Sequence, residues 1–485
     1  MTDDRLREAE RVYQETGSPR DEARLLTERL RAGVLPEVRL ELAATLGHEA
    51  ALLALARPRT PRTHSLPRVL LALERFGREV VARAALAAAR RTAANSGADR
   101  EGAACLAAVE EWLACPCERH LALVAPWLES NVDPAEYLAA AVAAGRETLA
   151  ELCQGLEQGR YATEPHSVLV AAVRRALVPW ALGHTTPMRD PAPGKGTVLE
   201  LTVGDPLVDA TCRIVTAADK VRFFERRQTV IRFADMKSSQ GCEVVKRDGG
   251  FEVRPLQKRT RSFVNDEPLA RRRLASGDVV ALERLWVEAR VLDAPFDDDV
   301  ERALREGPAL LARGLDPARI AIAAGAGDLA ATVAATEAGI PFLALVDPMT
   351  WIREHDPLPG DAAPRAGLRL AREVLPIAAR TRPLAGPSEK AVAALARWLE
   401  ATAERPRLDV LGFEKEIAPQ VGRAGSPQSR TPHAAAATAI AWCMGSTNDA
   451  RSLAGAVLAA ADAGVPRERV RGLVAEEVAR WALGS

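Results

Sequence analysis

The sequence predicts a multidomain protein of mixed α and β structure, in which two mainly α-helical domains flank a central antiparallel β-sandwich. Apolar residues recur at helical spacing before about residue 184 and again after about residue 293. The segment between them has runs of β-branched and aromatic residues separated by turn residues, a pattern typical of strands. The two helical stretches also share sequence anchors in the same order, so we expect them to be related copies.

The N-terminal copy covers residues 1–184 and is predicted to be a helical array. Ser18 before Pro19 and Asp133 before Pro134 have the order of an N-cap followed by the first helical residue. Short turns between amphipathic helices are typical of an array or bundle. We therefore expect this domain to have a helical core of its own.

A linker and a change of pattern follow. Residues 185–196 contain three prolines and two glycines, a composition typical of linkers. Residues 197–292 are predicted to form the sandwich, and Asp248-Gly249-Gly250 has the composition of a hairpin turn between two of its strands. Helical periodicity then returns, so residues 293–485 are the predicted C-terminal copy.

The internal duplication is predicted from four pairs of anchors that occur in the same order in both copies. Alanine matches carry little information in this alanine-rich chain, whereas matches that contain arginine and tryptophan carry more. The anchors pair Arg39 with Arg319, Arg75-x-x-Arg78-Glu79-Val80 with Arg369-x-x-Arg372-Glu373-Val374, Trp112-Leu113 with Trp398-Leu399, and Trp180-Ala-Leu-Gly183 with Trp481-Ala-Leu-Gly484.

Charge and cysteine content argue against several classes of protein. The chain has 65 basic and 65 acidic residues, and a net charge of zero argues against nucleic-acid binding over the whole surface. A nucleic-acid-binding helical repeat protein is therefore only an alternative. Seven cysteines at irregular spacing indicate no disulfide framework.

No segment predicts secretion or membrane insertion. The N-terminus is charged and then amphipathic, unlike a signal peptide. The longest uncharged run, residues 431–448, is too weakly apolar to span a bilayer and is predicted to be a buried or partly buried helix. The sequence therefore predicts a cytoplasmic protein without membrane contact.

Three local patterns lie in the predicted sandwich. Residues 235–245 read Asp-Met-Lys-Ser-Ser-Gln-Gly-Cys-Glu-Val-Val, residues 256–266 read Leu-Gln-Lys-Arg-Thr-Arg-Ser-Phe-Val-Asn-Asp, and residues 274–282 read Leu-Ala-Ser-Gly-Asp-Val-Val-Ala-Leu. Together they resemble the forkhead-associated (FHA) family, whose β-sandwich reads phosphothreonine peptides. They correspond to its Asp-x-x-x-Ser-Arg-x-His, its Asn-Gly-Thr loop with Phe-Val-Asn-Gly, and its closing Leu-x-x-Gly-Asp-x-Ile-x-Leu.

The resemblance implies a phosphopeptide pocket with altered residues. The family uses an arginine of an early loop, the serine of Ser-Arg-x-His and the asparagine of Asn-Gly to bind the phosphate and the peptide backbone. Arg226 or Arg227 fits the arginine, and Ser239 fits the serine. Four positions differ from the family: Gln240, Cys242, Thr260 and Arg261. The missing asparagine removes a hydrogen-bonding amide, and the missing glycine removes backbone freedom.

The residues alone also make this region a candidate site. Residues 219–261 contain twelve basic and six acidic residues, a net charge of +6. Arginine forks and a serine hydroxyl are suited to a phosphate or an acidic side chain. Three interpretations stay open: a solvated basic face, an altered phosphate site, and a site for an acidic protein partner. The predicted site residues are Arg226, Arg227, Ser239, Lys258, Arg259, Thr260 and Arg261, with Arg226 and Ser239 as the direct anion ligands.

The sequence favours a non-catalytic adaptor or scaffold that binds protein partners containing phosphothreonine or acidic residues. The helical domains would add broad protein-binding surfaces, and the resemblance implies a role in bacterial kinase signalling or in assembly of a secretion system. No Walker A, Gly-x-Ser-x-Gly or His-Glu-x-x-His motif occurs, so no enzyme activity, cofactor or resident metal is predicted.

A nucleotide-binding or enzymatic C-terminal half is the main alternative. Residues 320–347 read as strand, Gly325-Ala-Gly327, helix, strand and terminal Asp347, which is the order of the dinucleotide-binding fingerprint. That interpretation requires a parallel sheet over residues 319–347. The scarcity of later strands instead favours an alanine-rich helix pair with a turn glycine.

A weaker motif is Cys115-Pro-Cys117-Glu-Arg-His120, for which Cys105 is a candidate fourth ligand. Zinc prefers four nitrogen or sulfur ligands, usually with two or more residues between the cysteines. The sequence therefore favours a helix end with buried thiols over a zinc site.

Overall fold

The computed structural model has helical regions before and after a central region of two antiparallel sheets. Its residues form two compact units, Met1–Ala192 with Phe263–Pro268, and Pro193–Ser262 with Leu269–Ser485. The structure describes residues 2–57, 63–96, 99–130, 132–161, 164–183, 194–206, 210–226, 230–234, 241–257, 262–355, 358, 361–401, 408–421, 431–447, 449 and 451–484. The predicted linker at 185–196 lies mostly outside these residues, and the boundary predicted near residue 293 lies inside the second unit.

The first unit is a helical array. Its helices are α1 Thr2–Thr16, α2 Pro19–Arg31, α3 Glu37–Thr45, α4 Glu49–Ala54, α5 Leu66–Leu73, α6 Arg78–Ser96, α7 Arg100–Ala114, α8 Glu118–Val124, α9 Pro134–Ala144, α10 Leu149–Glu157 and α11 His166–Leu182. The predicted starts at Pro19 and Pro134 are confirmed, because Ser18 and Asp133 are the N-caps. The Ser18 hydroxyl accepts a hydrogen bond from the Asp21 backbone N–H at 3.1 Å, which satisfies one free donor of the first turn.

The helices of the first unit enclose one apolar core. Alanine is abundant in it, as in the fully buried Ala139, Ala140 and Ala141 of α9, and small side chains let neighbouring helices approach closely. Larger residues such as Leu70 and Val109 fill the remaining space. The unit also contains residues of a short hairpin, where Arg175 of α11 forms an ion pair with Asp266 at 2.6 Å.

The strands form antiparallel pairs throughout the described residues. They are β1 Val198–Asp205, β2 Ala210–Thr216, β3 Lys220–Arg226, β4 Val230–Phe233, β5 Cys242–Arg247, β6 Gly250–Pro255, β7 Ser262–Val264, β8 Glu267–Pro268, β9 Arg272–Arg273, β10 Val279–Leu282, β11 Leu285–Leu292 and β12 Phe342–Leu343. Within the second unit, one sheet has the order β2-β1-β11-β10 and the other the order β12-β4-β3-β5-β6-β9. The predicted hairpin is confirmed, because Asp248 and Gly249 have positive φ between the paired residues Arg247 and Gly250.

Ten further helices follow the sandwich in the part of the chain that the structure describes. They are α12 Asp298–Ala312, α13 Pro317–Gly325, α14 Leu329–Glu337, α15 Pro348–Glu354, α16 Ala362–Ala378, α17 Arg382–Glu400, α18 Val410–Val421, α19 Pro432–Gly445, α20 Arg451–Asp462 and α21 Arg467–Leu483. The predicted helix in residues 431–448 is α19. Searching the described helices finds none with the length and apolar character needed to cross a bilayer.

The strands and the C-terminal helices share a core within the second unit. Val198 and Val215 of the first sheet pack with Val300, Ala303 and Val333 of α12 and α14. Thr332 of α14 also exchanges two hydrogen bonds with the backbone of Val215, both at 3.1 Å. Because β2 is an outer strand of its sheet, these bonds occupy backbone groups that would otherwise be unpaired.

Helices α2–α11 and α12–α21 correspond one to one in order and in several details. Helices α3 and α13 have nine residues each, and α11 and α21 have seventeen. Both seventeen-residue helices follow a proline N-cap and end at a glycine in the left-handed conformation. The Arg39 guanidinium lies 5.3 Å from the centre of the Trp180 ring, and that of Arg319 lies 5.4 Å from the Trp481 ring. Two of the predicted anchor pairs therefore meet in the same way in both units.

The anchor based on Arg75-x-x-Arg78 has the wrong register. Arg78 begins α6, whereas Arg372 lies in the second half of α16. Arg83-Ala-x-Leu-x-x-Ala-Arg90 matches Arg365-Ala-x-Leu-x-x-Ala-Arg372 instead, with the same buried alanines and the same exposed final arginine. An exposed arginine motif recurs easily in an arginine-rich chain, whereas the buried face of a helix is constrained by packing.

Candidate partner-binding end of the sandwich

The strands that border the predicted site converge at one end of a sheet. Phe223 of β3 pairs with Cys242 of β5, which also pairs with Pro255 of β6. The last residues of β3, the start of β5 and the end of β6 therefore point to the same end. The Leu256 backbone N–H donates to the Gly241 carbonyl at 2.9 Å and holds two of these chain segments together. We call this end of the sheet the binding end.

One predicted site residue, Arg226, lies within the described residues. It is the last residue of β3 and pairs across the sheet with Val230. The other predicted site residues lie outside the described residues: Arg227, Ser239, Lys258, Arg259, Thr260 and Arg261. The described residues next to them lie at the binding end: Arg226 precedes residues 227–229, Gly241 follows residues 235–240, and Leu256 and Gln257 precede residues 258–261.

Arg226 has an acidic partner that the sequence did not indicate. Its Nη1 lies 3.3 Å from Oε2 of Glu354, the last residue of α15, whose side chain is only 8% exposed. An anion that binds Arg226 must therefore compete with a nearly buried carboxylate. The two residues are far apart in sequence, so only the fold could reveal this pair.

Two further arginines of the basic segment are paired with an acid of the same segment. Glu243 of β5 is buried and accepts hydrogen bonds from Arg222 at 2.7 Å and from Arg254 at 2.5 Å. Burial alone would raise the pKa of the Glu243 carboxyl, but these two arginines outweigh burial and lower it. Glu243 is already counted in the net charge of +6, so this pairing leaves that charge unchanged but engages two of the twelve basic side chains of the segment.

Cys242 stands where the resemblance places a structural histidine. Its side chain is fully buried, and burial raises the pKa of the thiol to about 12. The Ser262 hydroxyl, also buried, forms a hydrogen bond with it. A small buried thiol thus connects the start of β5 with β7, which is a packing role and not a reactive one.

Glu225 precedes Arg226 and is partly buried. Its Oε2 accepts hydrogen bonds from the backbone N–H groups of Arg284 and Leu285, both at 3.2 Å. Burial, with smaller contributions from the charges of Glu283 and Asp205, raises the pKa of the Glu225 carboxyl to about 8. The folded protein therefore binds this proton more tightly than the unfolded chain does.

We expect Glu225→Gln to make stability less sensitive to alkaline pH. Because the pKa of Glu225 is higher in the folded state, its contribution to stability is present below about pH 4.5 and is lost as pH rises towards about 8. Glutamine keeps an acceptor for the two N–H groups and carries no charge. The free energy of unfolding of both proteins is measured with urea at roughly pH 5 and pH 9. Relative to the wild type, the variant should be about 1–2 kcal/mol more stable at pH 9 than it is at pH 5. An equal difference at both pH values would contradict this assignment.

The geometry required for a dinucleotide site is absent from residues 319–347, all of which the structure describes. Residues 317–325 form helix α13, and β12 pairs antiparallel with β4. A Cβ at Gly325 would collide with the Leu343 carbonyl and lie 3.0 Å from Nε1 of Trp351. Asp347 caps α15 by accepting hydrogen bonds from the N–H groups of Met349 and Thr350. The favoured helix pair is therefore present, with Gly327 at φ +90° in the turn.

The expectation of buried thiols at Cys115 and Cys117 is wrong. The predicted helix end is present, because Cys115 is the C-cap of α7. However, Cys115 is exposed and Cys117 is partly exposed. Their sulfur atoms lie 3.6 Å apart, and the Cys117 Sγ lies 3.0 Å from Nδ1 of His120. A hydrogen bond from the His120 backbone N–H, with contributions from Cys115 and the His120 ring, lowers the pKa of the Cys117 thiol to about 7. The sequence signal for this cluster was the short spacing of Cys115, Cys117 and His120 along the chain.

An arginine-lined cleft in the first unit was not predicted from the sequence. It has a volume of about 470 Å³ and lies among α6, α7 and α11. Its arginines already have carboxylate partners: Arg83 with Glu79, Arg90 with Glu110, Arg91 with Glu164, and Arg175 with Asp266. The cleft is therefore largely charge-balanced.

Comparison of the chain with family models, curated proteins and solved structures gives no match. The fold and site define the chain as an α and β protein with a central antiparallel sandwich between helical regions.

Proposed function

We propose that this chain is a non-catalytic adaptor that binds a phosphothreonine-containing segment of a protein partner at the binding end of its sandwich. The observation that supports the proposal is that Arg226, Gly241 and Leu256, each at or next to one of the predicted site segments, lie at the same end of the sheet. These three described residues lie far apart in the sequence and close together at one edge, an arrangement that a binding site built from loops requires.

Two turns of the sandwich support its resemblance to the FHA family. Gly277 has φ +94°, and the buried Asp278 accepts a hydrogen bond from the Ala275 N–H at 2.9 Å, so the closing Leu-x-x-Gly-Asp pattern forms a tight turn. Asn265 has φ +59° between β7 and β8, where the family has an Asn-Gly turn. Glycine, aspartate and asparagine all favour turns, and both patterns form turns in the structure.

The ion pair of Arg226 favours a phosphate over an acidic side chain as the ligand. If a carboxylate of a partner displaced Glu354, Arg226 would exchange one singly charged acceptor for another. The gain in binding energy would be small. A phosphothreonine has a charge of about −1.5 to −2 at neutral pH and three acceptor oxygens, so it competes better for a guanidinium. A doubly charged ligand is thus the one that this arrangement would select.

The test is binding of the full chain to a threonine-oriented peptide library, with and without phosphate on the threonine. We expect phosphorylation to strengthen binding by at least about tenfold. Binding should weaken in Arg226→Ala and persist in Arg273→Ala. Arg273 is a matched control because it is equally exposed, at 37%, and forms its ion pair with Asp248 at the opposite end of the β5–β6 hairpin. Binding that ignores the phosphate would contradict the proposal.

A further inference from the structure

Three metal-binding side chains meet on the surface of the first unit, at the connection between α7 and α8. One thiol sulfur from each of Cys115 and Cys117 and one imidazole nitrogen of His120 all lie within 4.8 Å of one another. No other group of three or more such residues this close occurs in the described residues. The adaptor proposal makes no use of these groups.

The backbone holds the two thiols on one side before any metal arrives. The Cys117 N–H donates to the Cys115 carbonyl at 2.7 Å, which closes a three-residue turn around Pro116. Proline fixes φ at a value compatible with an inverse γ-turn. Helix α8 then begins at Glu118 and carries His120 in its first turn. A spacing of one residue between the cysteines is therefore sufficient in this turn.

The dimensions suit a tetrahedral ion with sulfur and nitrogen ligands. Two thiolates bound to Zn²⁺ at about 2.3 Å lie about 3.8 Å apart, and the observed distance between the sulfur atoms is 3.6 Å. Thiolate and imidazole select zinc and similar borderline or soft ions over Mg²⁺ and Ca²⁺. Cys105 does not complete the site, because it is fully buried with its sulfur 3.7 Å from the Glu136 carbonyl.

We propose that Cys115, Cys117 and His120 bind one Zn²⁺ per chain, with the fourth position left to water. Binding replaces the protons of the two thiols with bonds to the metal, and His120 supplies a neutral ring nitrogen. The exposed position of Cys115 gives the ion a direct path from solvent.

The connection itself does not require these residues. The equivalent connection between α17 and α18 spans residues 401–409, and its sequence contains no cysteine or histidine. The two thiols and the imidazole therefore occur in the α7–α8 connection and have no counterpart in the sequence of the α17–α18 connection. Their clustering is better explained by a ligand than by folding of the turn.

Cobalt provides the direct test, since Co²⁺ bound by thiolates in a tetrahedral site absorbs in the near ultraviolet and visible. The reduced full chain is titrated with Co²⁺, and Zn²⁺ is then added against a chromogenic chelator. We expect one Co²⁺ per chain, displaced by one Zn²⁺. Cys117→Ser and His120→Ala should each weaken Zn²⁺ binding by more than about tenfold, since even outer-shell partners of zinc are worth roughly ten- to a hundredfold. Arg119→Ala is the control, because it removes an exposed neighbour without a ligand atom at the site.

Either of two results would overturn the proposal. One is a wild-type chain that shows no thiolate absorption with Co²⁺. The other is Zn²⁺ binding that is unchanged in Cys117→Ser. Circular dichroism of each variant separates loss of the ligand from loss of the fold.

Discussion

Gly325→Ala is expected to lower the free energy of unfolding by about 3 kcal/mol, although alanine is usually preferred to glycine in a helix. Gly325 is the last residue of α13, and a methyl group there would collide with the backbone carbonyl of Leu343. The Trp351 ring cannot move aside, because it is fully buried and its Nε1–H donates to the same carbonyl at 3.1 Å. The close packing of α13, β12 and α15 therefore depends on a residue without a side chain.

Gly472→Ala is the matched control for this change. Gly472 also lies in a helix, α21, but a Cβ there would have no neighbour within 4 Å. Its replacement should be neutral or stabilise the protein by up to about 1 kcal/mol. Chemical denaturation of both variants measures the contrast. If Gly325→Ala were as stable as the wild type, close packing of Gly325 against Leu343 and Trp351 would be contradicted.

Glu243→Ala is expected to destabilise the protein by about 2–3 kcal/mol, because it leaves two arginines of the sandwich without their shared carboxylate. Glu243 is almost fully buried, whereas Arg222 and Arg254 keep partial access to water and regain some hydration when it is removed. The effect should therefore fall below that of breaking a fully buried pair.

The pH dependence of the same variant gives a second readout. The pKa of Glu243 is lower in the folded than in the unfolded state, so its contribution is present above about pH 4.5 and is lost as pH falls. The free energy of unfolding of Glu243→Ala should therefore fall less steeply with decreasing pH than that of the wild type. Glu252→Ala is the control, since Glu252 pairs with the exposed Arg271 and such pairs are worth about 1 kcal/mol or less. Equal losses in the two variants would show that Glu243 has no special role.

Local sequence signals predicted the elements of this fold well. The Ser18-Pro19 and Asp133-Pro134 starts and the Asp248-Gly249 turn all depend on neighbouring residues, and the structure has each of them. The exposure of Cys115 was not predictable in this way, because burial at a helix end is decided by whatever packs over it. The register of the Arg75-x-x-Arg78 anchor was wrong for a related reason, since that anchor was matched on arginines at the surface and not on the buried face of the helix.

At the candidate site too, local sequence signals miss the contacts that distant parts of the chain make. Strand order brings residues near 226, 241 and 256 to one end, and the spacing of the sequence motifs anticipated this. The partner of Arg226 comes from a helix beyond the sandwich, so no motif within residues 219–261 could indicate Glu354. Net charge counted along a segment likewise ignores acids that other elements contribute. Contacts between distant parts of the chain decide how much of a basic sequence is available to a ligand.

The most direct test of the adaptor proposal is the affinity of full-length Glu354→Gln for a library-selected phosphothreonine peptide, compared with the wild type and Arg226→Ala. Removing the charge of Glu354 releases Arg226, so we expect Glu354→Gln to bind the phosphopeptide more tightly than the wild type. Arg226→Ala should bind it more weakly by at least about tenfold. If Glu354→Gln bound no better, or if both variants bound as the wild type does, Arg226 would not be the phosphate ligand and the proposed function would be contradicted.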